Sequence, residues 1–531
     1  MPAHELQTMD AERETVLLNP IHLRRQRNLL VSPLFRLPFE LILEIFLFAV
    51  QLSYCGDWVT HTAICHRVRE MLIHSPLPWR IIHVGSVPLA KLFLERCNFD
   101  PHTLFAMERL RPPLPRVTDK TQFWEELKGR TLNNLRFFMF QGIDTEFENN
   151  AVDLLRRTPN LSTLEIESDR SLIWFLEWPL DYQLPNLTML RIKKVAINWN
   201  APILRNLTKF ILDSPHTFTS VKTFLSVLKN CPDLESLHLI STGPSPRIDT
   251  QHGDEVVPLQ KLEELFLRSV QEGEEDVVAC ILSHIWFPES TVVQLETASH
   301  HGPRAAISRI LPPPDAVIFQ RLRKATIIAI DFGPRSYQLV TDNFRLVLTP
   351  GHFRHQNLSN LNLEAVSRFV PKVVEIIGGD TVITLHVRFD PSYGNEVPRG
   401  VWEALFHGFP HLELISYDAG FEWDADAVDP FSSVLCEPFE GRLVCPQLRY
   451  LRIPRSFTQG PSAAALNQTL LERAACGRGS KEISINRELE DELALLGFFS
   501  EVDEVCRIHD IPSRLPPSVS GFLDPNETPV N

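Results

Sequence analysis

Two hydrophobic patterns divide the chain. Near the N-terminus, Leu41, Ile42, Leu43, Ile45, Phe46, Leu47, Phe48, Ala49 and Val50 follow Pro38, with only Glu44 among them. Proline suits the first position of a helix, where its fixed φ and missing N–H cost nothing, and Glu40 in the first turn favours the positive end of the helix dipole. The spacing predicts a helix over 38–50 that is apolar all round, and such a helix has to be buried on every side. Further along, L-x-x-L-x-L recurs as Leu135, Phe138, Phe140; Leu161, Leu164, Ile166; Leu187, Leu190, Ile192; Leu207, Phe210, Leu212; Leu234, Leu237, Leu239; and Leu262, Leu265, Leu267. Each copy predicts a short strand with alternate side chains in one core, and 151–157 and 220–228 between copies read as helices.

The copies start 26, 26, 20, 27 and 28 residues apart, within the period of leucine-rich repeats, roughly 20 to 29 residues. The shortest link contains Pro202, which predicts an irregular connection rather than a helix. Beyond residue 270 the pattern loosens to Val292, Leu295, Thr297; Leu322, Ala325, Ile327; Val382, Leu385, Val387; Leu412, Ile415, Tyr417; and Leu448, Leu451, Ile453. Inside its longest gap, Leu358, Leu361 and Leu363 fit a strand, while 363–377 also fits an amphipathic helix broken near Pro371. The array is divergent there, and a second mixed α/β module in the C-terminal half fits as well.

With 531 residues, the chain is too long for one compact core, so several domains or an extended array are expected. Its 52 Lys and Arg against 66 Asp and Glu give a formal charge of −14, which disfavours nucleic acid and anionic lipid as main partners. Nine cysteines without a C-x-x-C pair read as reduced thiols. The first fifteen residues carry no apolar signal region, and the run 41–50 is about half the roughly 20 residues that span a bilayer. These features predict a cytoplasmic or nuclear protein with no membrane partner. Asn160, Asn186, Asn206 and Asn357 each open N-x-[ST], which is read as the start of a recurring structural motif.

After the apolar helix come Trp58-Val59, then Ala63 to Glu70 around Cys65, then Ser75-Pro76-Leu77-Pro78-Trp79-Arg80-Ile81-Ile82. With the S-P-L-x-x-L-P-x-E-L opening at Ser32 to Leu41, this succession resembles the F-box, especially its fungal form, over roughly fifty residues. Val68 stands where the family usually carries a tryptophan. The resemblance implies three short helices that present Leu37, Pro38, Leu41, Ile42, Ile45 and Phe46 to a Skp-type adaptor protein, itself held on a cullin scaffold. It implies a non-catalytic adaptor of a ubiquitin ligase, whose repeats hold a target protein while other subunits transfer ubiquitin.

The expected architecture is therefore α/β. A segment 1–32 is followed by a small helical F-box at 33–84, a connector at 85–130, a leucine-rich-repeat solenoid at 131–510 that diverges after 270, and a disordered tail at 511–531. No nucleophile elbow, zincin, Walker A or dinucleotide motif occurs, so neither catalytic residues nor a cofactor are expected. CGRGSK at 476–481 reads as a solvated loop, and Asp424, Asp426 and Asp429 lack the rest of a calcium loop. His61, Cys65 and His66, His300-His301, and His352 with His355 lack a second ligand pair, so no metal is expected. The acidic run Glu272, Glu274, Glu275 and Asp276 reads as a solvated loop or helix start.

In each strand, the residue between the last two leucines points away from the core. That column is Met139, Glu165, Arg191, Ile211, His238 and Phe266. Three of the six are large and apolar, which suits a target-binding face and equally suits packing against a neighbouring loop. Two other readings stand beside the adaptor: a repeat scaffold that serves no degradation, and an enzyme with an unrecognised site.

Overall fold

The computed structural model describes residues 37–52, 66–84, 87–107, 120–128, 132–141, 153–167, 184–195, 197–215, 220–241, 256–269, 274–299, 303–312, 316–333, 336–350, 361–389, 397–419, 430–436, 444–453, 468, 473 and 482–485. Two compact units emerge, Met1–Asp169 with Leu184–Asn186, and Arg170–Gln183 with Leu187–Asn531. Both are mixed α/β.

In the first unit, helix α1 (Phe39–Leu52), helix α2 (His66–His74) and a 3₁₀ turn (Pro78–Arg80) lead directly into strand β1 (Ile81–His83). Helix α3 (Val87–Arg96), β2 (Thr103–Met107), α4 (Lys120–Leu127), β3 (Phe137–Gln141) and β4 (Thr163–Glu167) follow. The strands pair parallel in chain order. The sheet thus begins at Ile81, within the expected F-box, and β2 lies in the expected connector, so two strands precede the first L-x-x-L-x-L copy. Trp79 explains the tightness of this junction. It is buried, donates Nε1–H to Leu72 O at 2.7 Å, and meets Phe93 edge-on at 5.0 Å.

The second unit contains β5 (Met189–Lys193), β6 (Lys209–Asp213), α5 (Val221–Lys229), β7 (Ser236–Ile240), β8 (Val257–Pro258), β9 (Glu264–Ser269), α6 (Glu274–Ser283), β10 (Ile285–Trp286) and β11 (Val292–Ser299). It continues with α7 (Pro303–Ile310), α8 (Val317–Leu322), β12 (Ile327–Phe332), β13 (Tyr337–Thr341), β14 (Phe344–Pro350), α9 (Leu361–Ile377), β15 (Thr384–Phe389), α10 (Arg399–Gly408), β16 (Leu414–Ala419), α11 (Pro430–Cys436), β17 (Tyr450–Ile453) and β18 (Glu482–Ile485). Among the described residues the main sheet runs β5-β6-β7-β9-β11-β14-β13-β12-β15-β16-β17-β18, with β8 and β10 paired separately. Every pairing recorded in it is parallel except β12 with β13 and β13 with β14. The helices pack in series, α5 on α6, α6 on α7, α7 on α9, α9 on α10 and α10 on α11.

The strand leucines are what hold this sheet. Leu190, Phe210, Leu237 and Leu265 occupy one register row, Ile192, Leu212, Leu239 and Leu267 the next, and all are buried. Each such side chain contributes about 1.5 to 3 kcal/mol relative to exposure. In the C-terminal part aromatics take over: Phe332 stacks on Phe389 at 4.6 Å, and Trp402 meets Tyr417 at 4.8 Å and Phe431 at 4.9 Å.

The backbone repeats even where the side chains do not. Two successive amides at a strand start donate to one carbonyl of the preceding strand's start: Ser162 and Thr163 to Arg136, Thr208 and Lys209 to Thr188, Glu413 and Leu414 to Ile383. Strands β5, β6 and β7 each end in a left-handed residue, Lys194, Ser214 and Ser241, at φ 55°, 50° and 47°. Their amides bond Asp213 O, Ile240 O and Arg268 O. Asparagines bridge the first unit, Asn160 Nδ2 to Asn133 O at 3.0 Å and Asn186 Nδ2 to Asn160 Oδ1 at 3.0 Å, whereas Asn206 is left-handed at φ 58°, so two of the four expected asparagines share a role. Asn357 lies outside the described residues.

Helix α5 forms where expected, capped by the Ser220 hydroxyl, and the described part of the link after β5 has no helix. Two expectations for the divergent part shift, and one stretch left open between strand and helix is decided. Strand β11 points Val293, Leu295 and Thr297 inward, while Val292 is half-exposed. Before β12 the strand triad is Ala325, Ile328 and Ile330, and Leu322 ends helix α8. Residues 361–377 are helix, not strand, and Pro371 sits inside it without ending it.

Candidate functional site

Helix α1 divides its apolar surface between two sides. Ile42, Leu43 and Phe46 are buried, whereas Leu41, Ile45 and Phe48 are 46%, 49% and 64% exposed. Positions 41, 45 and 48 share one helical face. Pro38, Glu40 and Glu44 are also exposed, and Leu37 is half-buried. The helix is anchored by one apolar stripe and offers another. Of the six residues expected at an adaptor contact, Pro38, Leu41 and Ile45 lie open, Leu37 is partly covered, and Ile42 and Phe46 serve the interior. Phe48, not among those six, shares the open face; its seven-residue step from Leu41 is the signal that marks it.

Below α1 the core is closed. Val68, at the position where a tryptophan was expected from the resemblance, is 1% exposed, and Met71 and Leu72 are buried beside it in sequence. The smaller side chain is buried. The side chains of His61, Cys65 and His66 lie outside the described residues, as do His300, His301, His352, His355, the three aspartates at 424–429, and 476–481. Among the described residues no cluster of three metal-ligating side chains occurs. Asp276 of the acidic run opens α6 and is held by Arg309 at 3.1 Å.

The outward column is a register row in each unit. Met139 pairs with Phe105 on one side and Glu165 on the other. In the second unit Arg191, Ile211, His238 and Phe266 are consecutive partners, and the row continues through Gln294 and Arg345. All six expected residues are half-buried, and from Glu165 onward each lies between fully buried neighbours. His238 is the best-defined of them. Its ring lies 5.5 Å from that of Phe266, and its Nε2 is 3.1 Å from Glu264 Oε2. The His238 contact holds the Glu264 carboxyl below the usual carboxylate range, against the opposing effect of its partial burial, and the Ser236 hydroxyl at 3.2 Å adds to it. Next to it, Arg268 faces Glu296 at 3.4 Å, and Gln294 donates to the same carboxylate at 2.7 Å. The face is polar, internally paired and interrupted by Ile211 and Phe266.

Four thiols fall among the described residues. Cys97, Cys231, Cys280 and Cys445 are free, and burial raises the pKa of each, that of Cys445 to about 12. No helix among the described residues is long and apolar enough to cross a membrane. No family profile and no curated protein matches the chain.

Proposed function

We propose that the chain is a substrate-recruiting adaptor of a Skp/cullin/F-box ubiquitin ligase, with α1 docking on the Skp-type protein and a leucine-rich-repeat solenoid holding a target. The observation that carries the reading is the second, outward stripe of α1. A helix already anchored by Ile42, Leu43 and Phe46 has no folding reason to keep Leu41, Ile45 and Phe48 apolar, and large exposed apolar side chains grouped on one face mark a contact surface. The contact is then made by Pro38, Leu41, Ile45 and Phe48, with Ile42 and Phe46 holding the helix in place. Repeated strand starts and left-handed strand exits support the solenoid, and the row Arg191, Ile211, His238, Phe266 is the target face in the second unit. No chemistry is asked of the chain: by holding a target lysine near a charged conjugating enzyme it makes the transfer effectively intramolecular.

Co-purification tests this. The full chain should retain a Skp-type adaptor and, through it, a cullin. The double variant Leu41→Asp, Ile45→Asp should lose both while keeping its thermal unfolding midpoint, because neither side chain is part of the core. Failure of the wild-type chain to bind any Skp-type protein sinks the proposal and leaves the repeat scaffold as the better reading.

A further inference from the structure

The outward face of the second unit is built around one imidazole. His238 lies opposite Ile211 on β6 and Phe266 on β9, and its own strand sets Ser236 two residues before it and Ile240 two residues after it on the same face. Four neighbours therefore surround the ring, and three of them are large and apolar. Strands lie about 4.8 Å apart and alternate residues of one strand about 6.7 Å, so Ile211, Ile240 and Phe266 fall within about 10 Å of one another. On the fourth side the Ser236 hydroxyl donates to Glu264 Oε2 at 3.2 Å, and the same carboxylate oxygen stands 3.1 Å from His238 Nε2. The polar groups are thus bonded to each other. What the centre of the face leaves for a partner is apolar: Ile211, Ile240 and Phe266 are half-buried, and the inward positions beside them, Leu212, Leu239 and Leu267, already fill the core.

Charge is divided about this centre. On the β5–β6 side the outward positions carry Arg191, Lys193 and Lys209 against Asp213, and exposed Lys194 and Arg205 border the same strands. On the β9–β11 side they carry Glu264 and Glu296 against Arg268. Lys209, Ser236 and Glu264 share one register row, which sets the lysine and the carboxylate two strands apart, about 10 Å. That is close enough for Lys209 to help hold the Glu264 carboxyl below its usual range. In a chain of net charge −14, a group of cations confined to one side gives the face a direction. A partner of one sign throughout meets its own sign on one side of the centre. A partner with the two signs in order meets the opposite sign on both. Exposed charges of this kind set orientation, and the apolar centre supplies most of the strength.

We infer that this face takes a segment of the target protein carrying one large apolar side chain, seated over His238 among Ile211, Ile240 and Phe266, with an acidic residue toward β5–β6 and a basic residue toward β9–β11. The inference rests on the target-face reading of the row. An extended chain advances about 3.3 Å per residue, so acid and base stand about three residues apart, one on either side of the apolar residue. Random peptides displayed on phage are selected against the full-length wild-type chain, and the enriched sequences are synthesised and titrated by fluorescence anisotropy. They should share the order acid, large apolar, base, in one chain direction or the other. Phe266→Ser should weaken them about tenfold or more, and Lys209→Glu, a change at an exposed position, about threefold or more. Should Phe266→Ser fail to fold, Ile240→Ser and Lys209→Glu decide. No enrichment, enriched peptides without that order, or undiminished binding by the folded variants would overturn the inference. Retention of a Skp-type adaptor is measured on the same samples: adaptor retained without peptide binding sinks the inference alone, and peptide binding without adaptor sinks the ligase reading alone.

Discussion

Gly408, the last residue of α10, is expected to be irreplaceable for as long as Val374 faces it. A Cβ built at Gly408 falls 2.2 Å from Val374 Cγ1, 2.8 Å from Cγ2 and 3.1 Å from Cβ. Ordinary carbon contacts are about 3.5 to 4.0 Å, so the gap has to open by about 1.3 Å or more. Turning the valine does not help, since both methyls are close and a β-branched residue in a helix has one strongly preferred rotamer. The backbone is no freer: at Gly379, φ +70°, a Cβ would lie 1.9 Å from Gly408 O, so α10 is seated against the turn after α9 as well. Overpacking of this kind costs about 1 to 3 kcal/mol. The helix preference for alanine over glycine returns at most about 1 kcal/mol, and less at a terminal position. Gly408→Ala should therefore destabilise the α9–α10 pair by about 1 to 2 kcal/mol. Val374→Ala removes two methyls from a half-buried side chain, about 0.8 kcal/mol. In the double variant the new methyl enters the vacated space, so the total cost should be no more than that of Val374→Ala alone. Hydrogen exchange read by mass spectrometry on α9 and α10 peptides gives the local opening free energies. Additive losses in the double variant would refute the steric argument, and so would unchanged protection in Gly408→Ala.

Two further perturbations probe the first unit and the sheet face. Trp79→Phe leaves Leu72 O without its donor and a void beside Phe93; it should cost about 1 to 3 kcal/mol and deprotect α2 in hydrogen exchange, and intact α2 protection would contradict the role given to the indole. Glu264 has a folded-state pKa below its unfolded one, so its stabilising contribution is complete above the usual carboxylate range and is lost as pH falls through the depressed value. His238→Phe should make the acid-side decline of the thermal midpoint shallower, and an identical decline in the variant would remove the pair from the account.

The early copies of L-x-x-L-x-L were legible because they repeat both spacing and side-chain size, and their leucines fill the two inward rows. At β12 the template slipped by three residues for a specific reason. Each strand is preceded by a turn, as in Ala325 N to Leu322 O and Leu448 N to Cys445 O, and the residue that opens the turn is itself buried. An apolar residue three positions upstream mimics the first leucine, so the template fits at two phases. Strand β11 adds a second trap, because only Val292 separates buried Thr291 from buried Val293. The β13–β14 hairpin was invisible, since its alternating residues look like those of any other strand. The face of α1 was equally hidden: a run of uniformly apolar residues has no period from which to read which side turns in.

The same hairpin governs the order in which the sheet can be completed. Elsewhere in the second unit's main sheet each strand after β5 lies beside one that precedes it in the chain, so a polypeptide emerging from the ribosome can add strands one after another. At β12 this rule fails. When β12 has been made, its eventual neighbour on that side, β13, has not, and β11 is still three positions away. The gap closes only after synthesis passes Pro350, when β14 reaches back to pair with β11 and β13 with β12. Until then the nascent sheet ends at β11, and everything from β12 onward waits as a separate piece for a two-strand insert to join it.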